Sequence, residues 1–310
     1  MKFFARVPKF NFMAQRKVGL IVSLVLTLSS VALLATRGLN FGIDFTGGVL
    51  VEVVYPQGVE LAAVRKDLVD GGYHNAVAQA FGSTQNVLIR LPPAEKGANS
   101  AQVSNQVLDT LQHSGKKVEL RRIEFVGPQV GGELSEQGSL ALLIAFILIF
   151  IYIAFRFEWK FSVGAIAALI HDAVMALGFL SAFWIEFDVT TLAAILALIG
   201  YSNNETVVIF DRVRENLINI RRMEILDVVN LSVNQTLLRS IITHLTTLLV
   251  TTALFVLGGP SVHSFSITLI VGVIVATYSS IYVSTSLAVA LGISREDLLP
   301  PKLDEADKAP

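Results

Sequence analysis

The chain has 310 residues, 53% of them hydrophobic and 16% charged, with a mean hydropathy of +0.62. That is too apolar for a water-soluble protein of this length, so lipid is part of its solvent. The absence of cysteine excludes disulfides, zinc thiolate sites and cysteine nucleophiles, and a formal net charge of −1 has none of the basic bias that nucleic-acid binding requires.

Residues 1–17 are basic (Lys2, Arg6, Lys9, Arg16, Lys17) and precede an apolar window, Val18–Thr36. The window is too long for a signal-peptide core, and Ala35-Thr36-Arg37 offers no small-residue cleavage pattern, so it reads as an uncleaved anchor. Five further windows suit a hydrocarbon core of ~30 Å: about Gly138–Phe155, Phe161–Phe183, Val189–Phe210, Leu237–Leu257 and Phe265–Leu291. The last is longer than one crossing needs and is expected to tilt or run on. Arg156, Lys160, Arg212, Arg214, Arg221 and Arg222 fall in the second-to-third and fourth-to-fifth connections, whereas Ile185–Asp188 and Gly258–Ser264 carry no Lys or Arg. The positive-inside rule then predicts both termini on the cytoplasmic side.

Residues 37–136 follow the pattern of a small soluble fold. Val49–Tyr55 alternates like a strand, and Val59–Val69 has helical spacing up to Gly71-Gly72. Ala76–Phe81 and Asn86–Leu91 read as strands around a Gly82-Ser83 turn, Ala101–Leu111 as a helix and Val118–Val126 as a last strand. The order βαββαβ predicts an α+β ferredoxin-like domain with two helices on one sheet face and the other face free for binding. Residues 92–100, starting at Pro92-Pro93, read as a loop within it. His74 and His113 are isolated and read as surface residues. The predicted organisation is a cytoplasmic segment 1–17, a first span 18–36, the extracytoplasmic domain 37–136, a five-helix bundle 137–293 and a cytoplasmic tail 294–310.

The domain is entered through Phe41–Gly48, FGIDFTGG, and left through Phe125–Gly131, FVGPQVG. Gly42, Gly47 and Gly48 suit unusual backbone angles, Asp44 suits a local cap, and with Gly127 and Pro128 they are expected to form a junction.

Charged groups within spans cost about 2.5–3.5 kcal/mol even on lenient scales, so each needs a partner or a task. Asp172, preceded by His171, lies mid-way along the third span. Glu205 lies in Ser202-Asn203-Asn204-Glu205-Thr206 in the fourth, and Arg239 and His244 open the fifth. Glu205, Arg239 and His244 fall at similar depth and are expected to meet, with Asn203, Asn204, Thr206, Thr243, Thr246 and Thr247 lining a hydrated path. Desolvation favours a neutral carboxyl and a guanidinium favours the anion, so Glu205 suits a proton carrier. The alternative is a static Glu205–Arg239 pair that fixes helix packing. For Asp172, His171 either joins a proton path or only holds the carboxylate. HExxH, GxSxG and GxxxxGK[ST] are all absent, so no enzymatic role and no ATP use by this chain is expected.

FGIDFTGG, FVGPQVG, Gly200–Asn216 (GYSNNETVVIFDRVREN), His171-Asp172, RSIITHLTT from Arg239 to Thr247, and Gly258-Gly259-Pro260 occur together and in order. In these the chain resembles the SecF branch of the SecD/SecF family, within the resistance-nodulation-division superfamily. The resemblance implies one six-span half paired with a SecD-type subunit. It also implies the SecYEG translocon, YajC, an unfolded preprotein and the lipid bilayer as partners, in the bacterial inner membrane. No cofactor is implied; a proton gradient is the energy source, and proton flux assists late steps of translocation. The alternatives are a proton-coupled small-molecule or lipid exporter subunit and a structural stabiliser of the translocon. Carried over by position, the proton-coupling residues are Glu205, Arg239, Asp172, His171, His244 and Asn204. The family usually has Asp at position 205 and Ser at 244, so a coupled change of Glu205 and His244 is expected.

Overall fold

The computed structural model describes residues 8–81, 83–93, 100–113 and 117–298. Lys2, Arg6, the tail from 299, Gly82 and the stretch 94–99 lie outside the described residues, as does the side chain of His113.

Six helical segments among the described residues are long and apolar enough to cross a membrane, and the protein is a multi-pass helical membrane protein. In chain order the elements begin with α1 (Arg16–Arg37), strand β1 (Asn40–Phe41) and the single turn α2 (Ile43–Thr46). The inserted domain follows as β2 (Gly48–Val54), α3 (Leu61–Asp70), β3 (Val77–Phe81), β4 (Ser83–Leu91), α4 (Ser100–His113) and β5 (Glu119–Val126). The chain then runs through α5 (Pro128–Arg156), α6 (Trp159–Phe183), β6 (Glu186–Phe187), α7 (Val189–Asn219), α8 (Ile225–Leu257), α9 (His263–Ser279), a π-helical segment Ser280–Ser284 and α10 (Thr285–Ala290).

The helices overrun the apolar windows. α7 has 31 residues and α8 has 33, or about 46 and 50 Å at 1.5 Å per residue, against a core of ~30 Å. Their polar ends continue as a paired extension, where Asn216 Nδ2 donates to Ser232 Oγ at 2.8 Å and Arg212 Nε to Gln235 Oε1 at 2.6 Å. Hydropathy therefore marks only the stretch in lipid. The last window is split by its π segment, at a place where small residues let helices close: a Cβ on Gly164 would lie 2.6 Å from the Ser284 carbonyl oxygen.

In the inserted domain all strand pairs are antiparallel, in the order β3-β4-β2-β5. Alternation sends Val49, Val51, Val53, Val87, Ile89 and Leu91 into a core with Val64, Leu68, Val107 and Leu111 of α3 and α4. The opposite face carries Leu50, Glu52, Leu88, Arg90, Arg122 and Glu124, paired Leu50 to Arg90 and Glu124, and Glu52 to Leu88 and Arg122. This face is not free, contrary to the sequence expectation. It turns onto the bundle, where Arg122 Nη1 donates to Ser261 Oγ at 2.6 Å and Arg90 reaches Glu186 at 3.7 Å. Periodicity assigns a face but not what covers it.

Candidate functional site

The junction sets where α7 begins. β1 and β6 pair in parallel, Asn40 with Glu186 and Phe41 with Phe187, and Phe45 stacks on Phe187 at 5.6 Å between ring centroids. The run Phe41–Gly48 comprises the end of a short strand, a helical turn and the start of a second strand. Gly48 adopts φ +128°, and a Cβ there would lie 2.3 Å from the Leu91 carbonyl oxygen, so no other residue fits without displacement. Gly47, at φ +71°, sits against Pro128, where a Cβ would come within 2.9 Å of its Cα. Gly127 is the N-cap of α5, with Pro128 at the first helical position. Entry and exit of the domain thus touch in a packed joint. Asp44 caps at long range: its Oδ2 accepts the Val189 N–H at 3.0 Å, beside Asp188, whose Oδ1 accepts the Thr191 N–H at 2.6 Å.

Two carboxylates lie buried in the bundle, on or against one face of α7. Asp172 is 1% exposed. Its Oδ2 accepts from Ser202 Oγ of α7 at 2.5 Å and Ser279 Oγ of α9 at 2.8 Å, and its Oδ1 lies 2.9 Å from His171 Nδ1. Three helices thereby converge on one acid. His171 Nε2 is buried with no hydrogen-bond partner among the described residues.

Glu205 is one turn along α7 from Ser202. It is 6% exposed, receives a hydrogen bond on Oε1 from Ser240 Oγ of α8, and faces His244 Nε2 at 3.8 Å from Oε2. The imidazole, 5% exposed, also lies against the Tyr201 ring, 5.6 Å between centroids. Both ring nitrogens of His244, Asn203 Oδ1 and Thr206 Oγ1 are buried without protein hydrogen-bond partners among the described residues. Such groups cost about 1–3 kcal/mol each while unsatisfied, so the surroundings of Glu205 and His244 are an expensive polar feature of the bundle.

The expected Glu205–Arg239 pair is not made. Ser240 and His244 are four residues apart and share the α8 face turned to α7. Arg239 is about 100° away around the helix and exposed, with no ion pair among the described residues. Asn204, Thr243 and Thr246 are exposed as well, so the expected polar path divides. Thr206 is buried and Asn203 and Thr247 are half-buried, whereas Asn204 on α7 and Arg239, Thr243 and Thr246 on α8 are exposed. Sequence reasoning missed Ser240, although its position i−4 from His244 was a usable signal.

Comparisons with known proteins agree with this architecture. The family described as "Protein export membrane protein SecD/SecF, C-terminal" matches residues 106–294, and the "SecD/SecF GG Motif" matches residues 32–55. The "Protein translocase subunit SecF" of Pseudomonas aeruginosa is 45% identical over 98% of this chain and 99% of its own length. That of Haemophilus influenzae is 44% identical over 98% and 93%. Among solved structures, SecDF from Thermus thermophilus, described as a translocon-associated membrane protein, superimposes with a TM-score of 0.83 at 37% identity. The match covers 92% of this chain but only 39% of that one.

Proposed function

Because this chain belongs to the SecD/SecF family of protein export membrane proteins, we propose that it serves as the SecF-type subunit that couples proton movement past Glu205 to late steps of polypeptide translocation. The observation that carries this is the setting of Glu205: a buried carboxyl held by one neutral hydroxyl and facing one imidazole, with no guanidinium paired to it among the described residues. The one group that could pair with it is an imidazole that can itself take up or give up a proton, so no permanent ion pair holds the carboxyl. The static-pair alternative loses its basis, since Arg239 faces outward. One charge crossing 100 mV is worth about 2.3 kcal/mol, and that is the energy source in this reading.

The outer polar face suggests the partner. An exposed Arg239, on the same face of α8 as Thr243 and Thr246, is costly against lipid, and the exposed stripe Ala193, Ala197, Gly200 and Asn204 on α7 would let a neighbouring helix approach closely. We assign this face to a SecD-type half, as the SecDF chains that hold both halves suggest. In the same reading the termini are cytoplasmic, the inserted domain is extracytoplasmic, and the protein lies in the bacterial inner membrane. SecYEG, YajC and the emerging preprotein are its further partners. The inserted domain is read as ferredoxin-like, a reading supported by its element order and by the strand order β3-β4-β2-β5. In the same reading Asp172 and His171 form a second proton station, whose hydrogen-bond partner Ser202 lies one turn along α7 from Glu205.

Glu205→Gln tests the central claim, because the amide keeps the shape but cannot ionise. In inverted vesicles, proton-gradient stimulation of preprotein export should be lost while gradient-independent export persists. Unchanged stimulation would refute the proton role.

A further inference from the structure

The inserted domain meets the bundle through a compact polar cluster that the reading above does not use. Arg90, on the bundle-facing side of β4, donates from Nη2 to Asn40 Oδ1 and from Nη1 to the Phe41 carbonyl, both at 2.8 Å. Its Nη1 also lies 3.7 Å from Glu186 Oε1. Arg90 and Glu186 are both largely buried, with side-chain exposures of 9% and 16%. Gly42 makes room for the acid, since a Cβ there would stand 2.9 Å from Glu186 Oε1. Next to the cluster is a cavity of about 250 Å³ between sheet and bundle.

We infer that Arg90 and Glu186 form a releasable latch between the inserted domain and the bundle, and that the proton on Glu186 sets how tightly it holds. The fixed part is the pair of Arg90 hydrogen bonds to Asn40 and Phe41, which do not depend on Glu186. The variable part is the carboxyl. Asp44 of α2, Asp188 at the start of α7, Glu124 and Arg122 of β5 and Glu52 of β2 surround it across the cavity, and Arg65 of α3 and His263 of α9 line a neighbouring one. Glu52 is paired with Arg121 and Glu124 with Arg122, so an ionised Glu186 has one close guanidinium, Arg90, and faces Asp44 and Asp188, which have no cation partner among the described residues.

Burial pushes the Glu186 carboxyl above the ordinary carboxylate range; Arg90 pulls it back only in part, while Asp188, Asp44 and Glu124 push it further up. Docking supplies the burial, so the neutral acid suits the docked state better than the ionised one. By linkage, the extra hold is present at low pH and is lost as pH rises through the raised value. Glu186 lies on β6, immediately ahead of the helix that carries Glu205. A change in the latch is therefore applied at the start of α7.

The absence of native cysteine permits a direct test. Spin labels at Lys66→Cys on α3 and Leu257→Cys at the end of α8, both exposed, report the separation of domain and bundle in the full chain, reconstituted in nanodiscs with its paired subunit. A short-distance population at acid pH should give way to a longer one as pH rises through the raised value of the Glu186 carboxyl. The docked ratio should fall by up to about tenfold per unit by which docking raises the carboxyl's pKa. Glu186→Gln should stay docked throughout, and Ser261→Ala, which removes only the peripheral Arg122 contact, should keep the pH response. A pH-independent distribution in the unsubstituted chain overturns the inference. So does a pH response that survives in Glu186→Gln and disappears in His263→Gln.

Discussion

Asp44 and Val189 are 145 positions apart, yet the Asp44 carboxylate accepts the backbone N–H of Val189 at 3.0 Å. The entry turn of the inserted domain thus caps the helix that bears Glu205, and the two domains share one hydrogen-bonded corner.

Removing that cap should loosen the start of α7. Asp44→Ala is expected to cost about 0.5–2 kcal/mol. Asp188→Ala should cost more, because Asp188 Oδ1 also accepts from the Thr190 and Thr191 hydroxyls. Amide hydrogen exchange over 189–193 should rise in both variants, with little change near the far end of α7.

The junction glycines should not be equivalent. Gly48→Ala forces a Cβ onto the Leu91 carbonyl at an unfavourable φ and should destabilise the inserted domain by at least about 1 kcal/mol. At Gly127, with φ −65° and no atom of the described residues within 4 Å of where a Cβ would stand, alanine should be tolerated. Thermal unfolding of the two purified variants in detergent checks the contrast.

Glu205 and His244 should behave as a unit. Glu205→Asp withdraws the carboxylate from Ser240 and His244, and His244→Ser removes the imidazole. A double-mutant cycle on gradient-driven export should show a coupling of about 0.5 kcal/mol or more. Additive effects would separate the two residues.

Arg239→Leu should leave the chain folded, since the guanidinium makes no ion pair among its described residues. It should weaken association with the SecD-type half by about 2 kcal/mol, or roughly thirtyfold, read as loss of co-purification from membranes.

Lys160 Nζ lies 2.7 Å from Asp297 Oδ2 and ties the start of α6 to the segment after α10. Partial burial alone would raise the Asp297 carboxyl, but the Lys160 ammonium and the N–H and hydroxyl of Ser294 outweigh it and hold it below its ordinary value. The group therefore contributes stability above the ordinary carboxylate range, lost as pH falls through the lowered value. Asp297→Asn should flatten the acid limb of the stability profile, measured by thermal unfolding between pH 6 and pH 3.

By itself the sequence determined the six spans, the inserted β and α elements within a few residues, and the set of costly intramembrane groups, because each depends on local composition, period and spacing. Val49 to Val53 alternate wherever the sheet sits, and Asp172 and Glu205 interrupt apolar runs whatever they touch. Only the tertiary structure decided who meets whom. Ser240 rather than Arg239 reaches Glu205, because one residue of helical phase is 100°; Asp44 finds Val189 rather than its own turn, and Arg90 finds Glu186. Those contacts depend on how separate elements dock, which no local pattern in the chain encodes.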